Sequence, residues 1–495
     1  MARVHIVSPY RPRDGPRLGP LHIAQHLKNR GHEVRVISPK FMEEPEDYAA
    51  RIRIYAAKEK PHVVGFSTYP YWPEHDFNAL IMPMARGIKS IREVSPGTMT
   101  VLGGHGSIEY PKQYLENLGA DAVVDGLHGQ AMGALDELAG AVERGHNRLS
   151  VPGLIYLENG KVKHTGERVP QELPEIRYHE GTFGVPAEDF KLAGMPVLSV
   201  FNQLSCPWSR RNGCTYCGVA HVNQRLMERY RNQPEVYRRL IKQDYERTAR
   251  EAENFSKAFP GEKINFTIAD SVATPAALKG YLSALEARGV MRSIGEVRFL
   301  SDPRFLRGRN LDEVRRVLDD FHKRYGVTFE TQVGVENPNP EELRWMNRPG
   351  YTQKDTDRIF RGLFAPHTDV SAFLLLTTPD TTRQTLSNTV RYAVDLAKRG
   401  HDISVQPYVV PHPGLLDRFA GRIVEHKITA GGKEWVFPGH IENPHLTRID
   451  VEKEAGFVGG ENPDMMDPKL ANQLQHLEDS LNRAKRTLLV GGRKA

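Results

Sequence analysis

The chain holds three cysteines, and all of them lie in one window, Cys206-Pro-Trp-Ser-Arg-Arg-Asn-Gly-Cys214-Thr-Tyr-Cys217. An odd, clustered set is not a disulfide framework, whereas thiolates that can close on one point are metal chemistry. Two sites fit the spacing. Three thiolates suffice for three irons of a [4Fe–4S] cluster, leaving the fourth iron open to a substrate or cofactor. Most such clusters take four cysteines, and a fourth thiolate here would have to come from another subunit. Alternatively, His221 lies four residues beyond Cys217 and completes C-x7-C-x2-C-x3-H, a Cys3His pattern suited to structural zinc. Spacing alone leaves cluster and zinc level. Three inert buried thiols fit the clustering poorly.

The elements that must position this window are legible from periodicity. In residues 1–150, short β-rich runs (Val4 to Ser8, Glu33 to Ser38, His62 to Ser67, Met99 to Gly103, Asp121 to Val124) alternate with helix-period segments such as Met84, Ala85, Ile88, Ile91. That alternation predicts βαβ units and a doubly wound, Rossmann-like parallel sheet, whose ligands sit beyond the carboxyl ends of the strands. The candidate loops there are Ser8-Pro9-Tyr10, Phe66-Ser67-Thr68-Tyr69, Gly103-Gly104-His105-Gly106 and Gly126-Leu127-His128-Gly129. Residues 151–195 read as a hairpin with Asn159-Gly160 at its turn, then a Pro- and acid-rich linker. From Pro196 the alternation resumes, with strand-like runs near 197–203, 263–268, 296–300, 327–335, 370–376 and 402–409. Six strands do not close an eight-stranded barrel but fit a partial, splayed (β/α)6 one. The cysteine window follows the first of them directly. Small zinc modules rarely open a long βα array in that way, so this context favours the cluster. Residues 416–495 lose the alternation and predict an irregular cap ending in a polar helix near 468–489.

Composition narrows the function classes. With 39% hydrophobic and 26% charged residues the chain is an ordinary globular one. No apolar run approaches the roughly 18 residues of a membrane span. The N-terminal MARVHIVSPY has no basic n-region or long apolar stretch, which predicts an unprocessed cytoplasmic protein. The net charge of +6 is spread over 495 residues without a basic block, so neither nucleic acid nor a membrane is an expected partner.

On these residues the chain resembles the cobalamin-binding radical S-adenosylmethionine (SAM) enzymes over most of its length, residues 1–420. The family usually carries C-x3-C-x2-C, so the first loop is four residues longer here. The resemblance implies a [4Fe–4S] cluster on Cys206, Cys214 and Cys217, with Tyr216 beside the SAM adenine. Asp270, the only carboxylate in the run Asn265 to Ser271, stands where relatives hold the SAM amino group. Val333-Gly334-Val335-Glu336-Asn337-Pro338 is similar to the family's G-(I/V)-E-S-G strand end, followed by Met346-Asn347-Arg348, which makes Glu336 the ribose ligand. Phe373 to Thr382 resembles the apolar strand ending in G-x-P-G-E-T, with Thr377 and Asp380 where glycines are usual and Thr381 where Glu is usual. Pro411-His412-Pro413-Gly414 looks like the family's P-Y-P-G run.

For the first domain, Asp14 to Leu21 resembles the P-x-L-G-L turn of radical SAM cobalamin domains. The resemblance implies cobalamin contacts at Ser8, Gly19, Ser67, Thr68, Gly103, Gly104 and Gly126. The D-x-H-x-x-G motif of histidine-ligated corrinoids is missing; His62-Val63-Val64-Gly65 is preceded by Lys60 rather than Asp, so the implied cobalamin is base-off. A nucleotide or flavin is the competing ligand for such a sheet, but no G-x-G-x-x-G supports a dinucleotide.

The implied activity is methyl transfer from methylcobalamin to an unactivated carbon or phosphorus of a small substrate, after SAM is split to a 5′-deoxyadenosyl radical. A flavodoxin- or ferredoxin-type reductant would feed the cluster. Cyclisation or rearrangement is the alternative within the family; a Cys3His zinc RNA-binding protein is the alternative from another class. Arg210 and Arg211 in the lengthened loop could contact an anionic substrate. The expected division is a cobalamin domain at 1–150, a hairpin and linker at 151–195, a radical SAM core at 196–415 and a substrate cap at 416–495.

Overall fold

The computed structural model describes residues 1–9, 17–40, 43–68, 81–126, 129–178, 182–201, 214, 228–271, 274–406, 421–430, 433–441, 443, 445–446, 477 and 479–480. Two compact units are present: Met1–Leu204 with Arg229–Ile264 and Lys427–Val436, and Ser205–Glu228 with Asn265–His426 and Phe437–Ala495. No helix among the described residues is long and apolar enough to cross a membrane.

The first unit is built on β1 (Arg3–Val7), β2 (Glu33–Ile37), β3 (Val63–Ser67), β4 (Met99–Gly103), β5 (Ala122–Val124), β6 (Leu154–Glu158) and β7 (Lys161–His164), in sheet order β2-β1-β3-β4-β5-β6-β7. The first five strands are parallel; β6 and β7, the expected Asn-Gly hairpin, extend the sheet antiparallel to β5. Val4, Ile6, Val7, Val63, Val64 and Phe66 are all buried, as central parallel strands covered on both faces require. Helices α1 (Leu18–Asn29), α2 (Pro45–Glu59), α3 (Met82–Val94), α4 (His105–Glu109), α5 (Pro111–Leu118) and α6 (Gly129–Glu143) join or follow these strands; α1 packs on α6, and α2 on α3.

The order matters for function. The chain runs outward from β1 to β2, then returns across β1 to β3, so the topological switch point lies between β1 and β3. Ser8, Ser67 and Thr68 stand at that opening, where a 2-1-3-4-5 sheet holds its ligand.

The segment read as a linker is pinned down rather than free. Ile176, Tyr178, Phe183, Val185 and Phe190 are buried. Tyr178 packs edge-on to Phe190 and to Phe255, with centroids 5.7 and 5.0 Å away. Single apolar residues in an extended Pro-rich stretch have no period to betray them. The same unit contains β8 (Lys191–Leu192), β9 (Met195–Val200), α7 (Pro234–Ile241) and α8 (Tyr245–Ala258).

In the second unit β10 (Ile264–Ser271), β11 (Ile294–Ser301), β12 (Thr328–Glu336), β13 (Thr368–Leu375) and β14 (Ile403–Gln406) lie in that order, and β11 to β14 are parallel. Between them run α9 (Pro275–Ala287), α10 (Arg309–Tyr325), α11 (Pro340–Trp345), α12 (Gln353–Leu363) and α13 (Arg383–Lys398). Leu311, Val314, Leu318 and Phe321 line the buried stripe of α10 at helical spacing. On β12, Phe329, Thr331, Val333 and Val335 are buried, while Glu330, Gln332 and Gly334 on the other face are half-buried. The polar face continues across to β11, where Arg298 pairs with Glu330 at 3.1 Å.

All six strands expected from residue 196 onward are present, as β9 to β14. The C-terminal region departs from the irregular cap expected of it: β15 (Ile423–Ala430) and β16 (Lys433–Ile441) form a two-stranded sheet. Its strands carry His, Lys, Glu and Pro among the apolar residues, which blurs the period-2 signal.

The position just after β4, Gly104, must be glycine. Its φ is +106°, and a Cβ there would meet the Thr68 carbonyl oxygen at 2.2 Å. Thr68 in turn donates its N–H to the Gly103 carbonyl at 2.6 Å, tying the β3 and β4 ends together. Gly104→Ala is therefore expected to destabilise the first unit by on the order of 3 kcal/mol. The measurement is a lowered urea midpoint at unchanged slope.

Candidate functional site

The described cysteine, Cys214, sits in the second unit beside the carboxyl ends of β11 and β12. Its half-buried thiol has Arg304 Nη2 3.9 Å from Sγ. Cys206, Cys217, Tyr216, His221, Arg210, Arg211 and the Pro411–Gly414 run lie outside the described residues.

Arg304 is presented by a turn that the sequence builds locally. β11 ends at Ser301, and the Asp302 carboxylate accepts the Arg304 backbone N–H at 2.9 Å across Pro303, an Asx turn. The same carboxylate takes the Arg304 side chain: Nε donates at 2.9 and 3.1 Å, and Nη2 also donates to it. Arg348 Nη2 reaches Asp302 Oδ2, which Arg304 Nη2 also contacts, at 2.8 Å, while its Nη1 donates to Glu336 at 2.5 Å and its Nη2 to the Gly334 carbonyl at 3.0 Å. The result is one buried chain of charge, Arg304–Asp302–Arg348–Glu336.

Arg348 arrives there because α11 closes in a Schellman turn. Asn347, at φ +54°, donates to the Arg344 carbonyl at 3.0 Å, and Arg348 N to the Leu343 carbonyl at 2.8 Å. Asparagine tolerates this left-handed backbone. Glu336 is also left-handed, with φ +60°, at a register irregularity between β12 and β13. A bulky residue held in that conformation is strained, and strain of this kind gathers at functional sites. Tyr351 supports the turn by donating its hydroxyl to the Val335 carbonyl at 2.7 Å.

The electrostatics follow from these contacts. Burial would push the Asp302 carboxyl up, but Arg348 and Arg304 overcome it and hold it below the usual carboxylate range. Burial pushes the Cys214 thiol up, opposed first by Arg348 and then by Arg304.

The other expected SAM contacts occupy neighbouring strand ends. Asp270 lies near the carboxyl end of β10; its side chain is not among those described. Thr377 is buried just beyond β13. The following threonines do structural work: Thr378 N donates to Thr381 Oγ1 at 2.7 Å, and Thr382 caps α13. Thr378 and Thr385 both donate to Glu342, which is 2% exposed and so needs them.

In the first unit the expected cobalamin contacts divide. Ser67 is half-buried at the end of β3, and Gly19, in the first turn of α1, faces open space. Ser8 Oγ is 3.1 Å from Ser38 Oγ, and Thr68 Oγ1 is 3.0 Å from both the Gly103 carbonyl and Ser107 Oγ. Gly103 is half-buried at the end of β4, and Gly104 is filled by Thr68. Gly126, at φ +122°, would meet Gln130 at 2.5 Å. His62 accepts the Arg3 N–H through Nδ1 at 2.9 Å, at the start of β3 and thus at the opposite strand end from the switch point. Also in this unit, Arg247 pairs with Glu251 at 2.7 Å and donates to the carbonyl of Phe201, the residue before the cysteine loop.

Residues 5–136 match the B12 binding domain family. No curated protein matches the chain in sequence. Among solved structures, the chain is similar to TsrM of Kitasatospora setae, a radical S-adenosylmethionine methyltransferase solved with its tryptophan substrate and a SAM analogue. The identity is 18% and the TM-score 0.63, with 87% of this chain and 79% of that one covered. TsrM has also been solved with cobalamin and a [4Fe–4S] cluster bound, and matches there with TM-score 0.62. It is similar as well to OxsB, a cobalamin-dependent SAM radical enzyme solved with aqua-cobalamin and SAM. Here the identity is 12% and the TM-score 0.66, with 99% of this chain and 72% of that one covered. The protein is thus an α/β protein with a B12-binding domain. Over nearly its whole length it has the fold of the cobalamin-dependent radical SAM enzymes.

Sequence reasoning quoted Arg348 and Glu336 but missed Asp302 and Arg304. The available signal was Asp-Pro-Arg placed directly after an alternating strand. Arg348→Ala should cost about 3–5 kcal/mol, because it strips Glu336 and Asp302 of a buried ion pair. Adding Glu336→Gln should return part of that loss in the same urea titration, since the orphaned charge is gone.

Proposed function

We propose that this protein is a cobalamin-dependent radical SAM enzyme that transfers a methyl group to an unactivated carbon or phosphorus centre of a small substrate. What carries the reading is the joining, in one chain, of a B12-binding domain to Cys214, a free thiol beside arginine, within a fold shared with enzymes solved with cobalamin and a [4Fe–4S] cluster. The donor set fits: thiolate is the ligand iron–sulfur clusters take, and Cys206, Cys214 and Cys217 supply three. The corrinoid fits the β1/β3 switch point, where Gly19 opens onto free space and Ser67 stands at a strand end. His62, at the far end of β3, is no axial ligand for a group bound there, which supports the base-off reading.

When bound, the cluster supplies the electron that cleaves SAM, and the corrinoid supplies the methyl group. The chain's own residues bind and orient. Asp270, Glu336 and Thr377, from the ends of β10, β12 and β13, would take SAM, with Tyr216 beside the adenine. Glu336 suits the ribose because an ion-paired carboxylate only accepts hydrogen bonds, and Arg348 holds it turned inward. Gly103, Gly104 and Gly126 shape the corrinoid loops through their backbone, and Ser8 and Thr68 brace them. Residues 1–150 would hold the corrinoid, 196–415 the cluster and SAM, and 416–495 would shape the substrate pocket, with 151–195 joining the first two. A small anionic substrate would meet Arg210 and Arg211, and a flavodoxin- or ferredoxin-type protein would be the reductant in a cytoplasmic setting.

The test is anaerobic purification with added cobalamin, followed by metal analysis and a UV–visible spectrum. About four irons per chain are expected, together with one cobalt. Cys206→Ala should lose the iron, and His221→Ala should keep it. Zinc without iron or corrinoid, lost in His221→Ala, would instead favour the Cys3His RNA-binding reading. With cofactors in place, methylated product separates methyl transfer from cyclisation or rearrangement.

A further inference from the structure

The charge chain beside Cys214 is more elaborate than holding two strand ends requires. Arg304 is already satisfied at its backbone, Nε and Nη2 by Asp302, yet Nη2 also lies 3.9 Å from the Cys214 sulfur. Arg304 and Asp302 are 5% and 10% exposed at their side chains, so their charges act through protein rather than through water. We propose that Arg304 is a positioning residue that sets the reduction potential of the cluster ligated by Cys214, donating a charge-assisted N–H to its sulfur. This rests on the cluster reading above and says what this chain adds to it.

The electron balance is simple. One electron passes from an external one-electron donor into the cluster; no bond forms or breaks, and Arg304 keeps its proton. Extra negative charge spreads onto the ligating sulfurs, where a guanidinium stabilises it, and hydrogen bonds to sulfur are an established lever on such potentials. Two carboxylates, Asp302 and Glu336, stand in the same cluster and oppose the effect. Arg304 is nevertheless the charge that reaches the sulfur, while each carboxylate is itself engaged by an arginine, Asp302 by Arg304 and Glu336 by Arg348. Asp302 then has a second part: it aims Arg304 and partly offsets its charge, and Arg348 shares that carboxylate.

The experiment is a mediated dithionite titration of the anaerobically reconstituted full-length protein, read by the EPR signal of the reduced cluster, with iron content measured beside it. Arg304→Gln should keep its iron and move the midpoint to more negative potential. Arg304→Lys keeps the charge but not the planar fork, and should fall between Gln and wild type. Asp302→Asn, which removes opposing negative charge while its amide oxygen can still accept the Arg304 backbone and Nε N–H groups that aim the guanidinium, should move the midpoint the other way. A merely structural loosening would shift Arg304→Gln and Asp302→Asn in the same direction, and that result overturns the proposal. An unchanged midpoint in iron-replete Arg304→Gln overturns it too. If Arg304→Gln loses its iron, Arg304→Lys decides: a more negative midpoint supports the proposal and an unchanged one overturns it. A wild-type protein that holds no reducible cluster would instead defeat the functional reading itself.

Discussion

The second unit depends on keeping four charges buried in one row at the ends of β11 and β12. Arg304, Asp302, Arg348 and Glu336 alternate in sign, so each carboxylate is matched by a guanidinium and no net charge is left in the interior. The row dictates local structure around it. Asp302 bends the chain after β11, Asn347 reverses it after α11, and Glu336 takes a left-handed backbone that its ion pair helps to hold. Removing a single member strands its neighbours, which is why the site behaves as a unit rather than as four separate residues. Cys214 lies against the end of this row, so the same ion pairs that stabilise the strand ends also set the field at a thiol suited to iron.

The first unit solves a different problem. Its sheet must be covered on both faces and still leave one end open to a planar ligand. Strand order provides the opening, because the chain leaves β1 toward β2 and leaves β3 toward β4, so the connections from these two adjacent strands diverge. The glycines at the rim serve two ends. Gly104 and Gly126 are glycine because their backbones are left-handed and their side-chain space is already taken by Thr68 and Gln130. Gly19 alone among the candidate contacts leaves clear space. Tight packing of loop on loop is therefore one use of small residues here, and clear space at Gly19 is another.

Much of the fold was legible because parallel sheets write strong signals. The run Val63 to Phe66 is continuously apolar and Val4 to Val7 is interrupted only by the buried His5, and the helices between them carry helix-period apolar positions. Where the signal failed, the physics was non-periodic. Ile176, Tyr178 and Phe190 are buried from an extended Pro-rich stretch, and β15 and β16 mix polar residues into a two-stranded sheet. In the site, Glu336 stood out because it ends a strand in a recognisable run. Asp302 and Arg304 did not, since an Asp-Pro-Arg turn is common and its meaning comes from what lies across from it.

The sequence by itself therefore determined the elements, the clustering of the cysteines and the resemblance to cobalamin-dependent radical SAM enzymes, because periodicity, residue type and motif order are properties of the chain read in line. Only the tertiary structure decided which charges meet. Asp302 and Arg348 are 46 positions apart, and Cys214 and Arg304 are 90. No local rule brings such pairs together; the parallel stacking of βα units does, by delivering every strand's carboxyl end to the same edge.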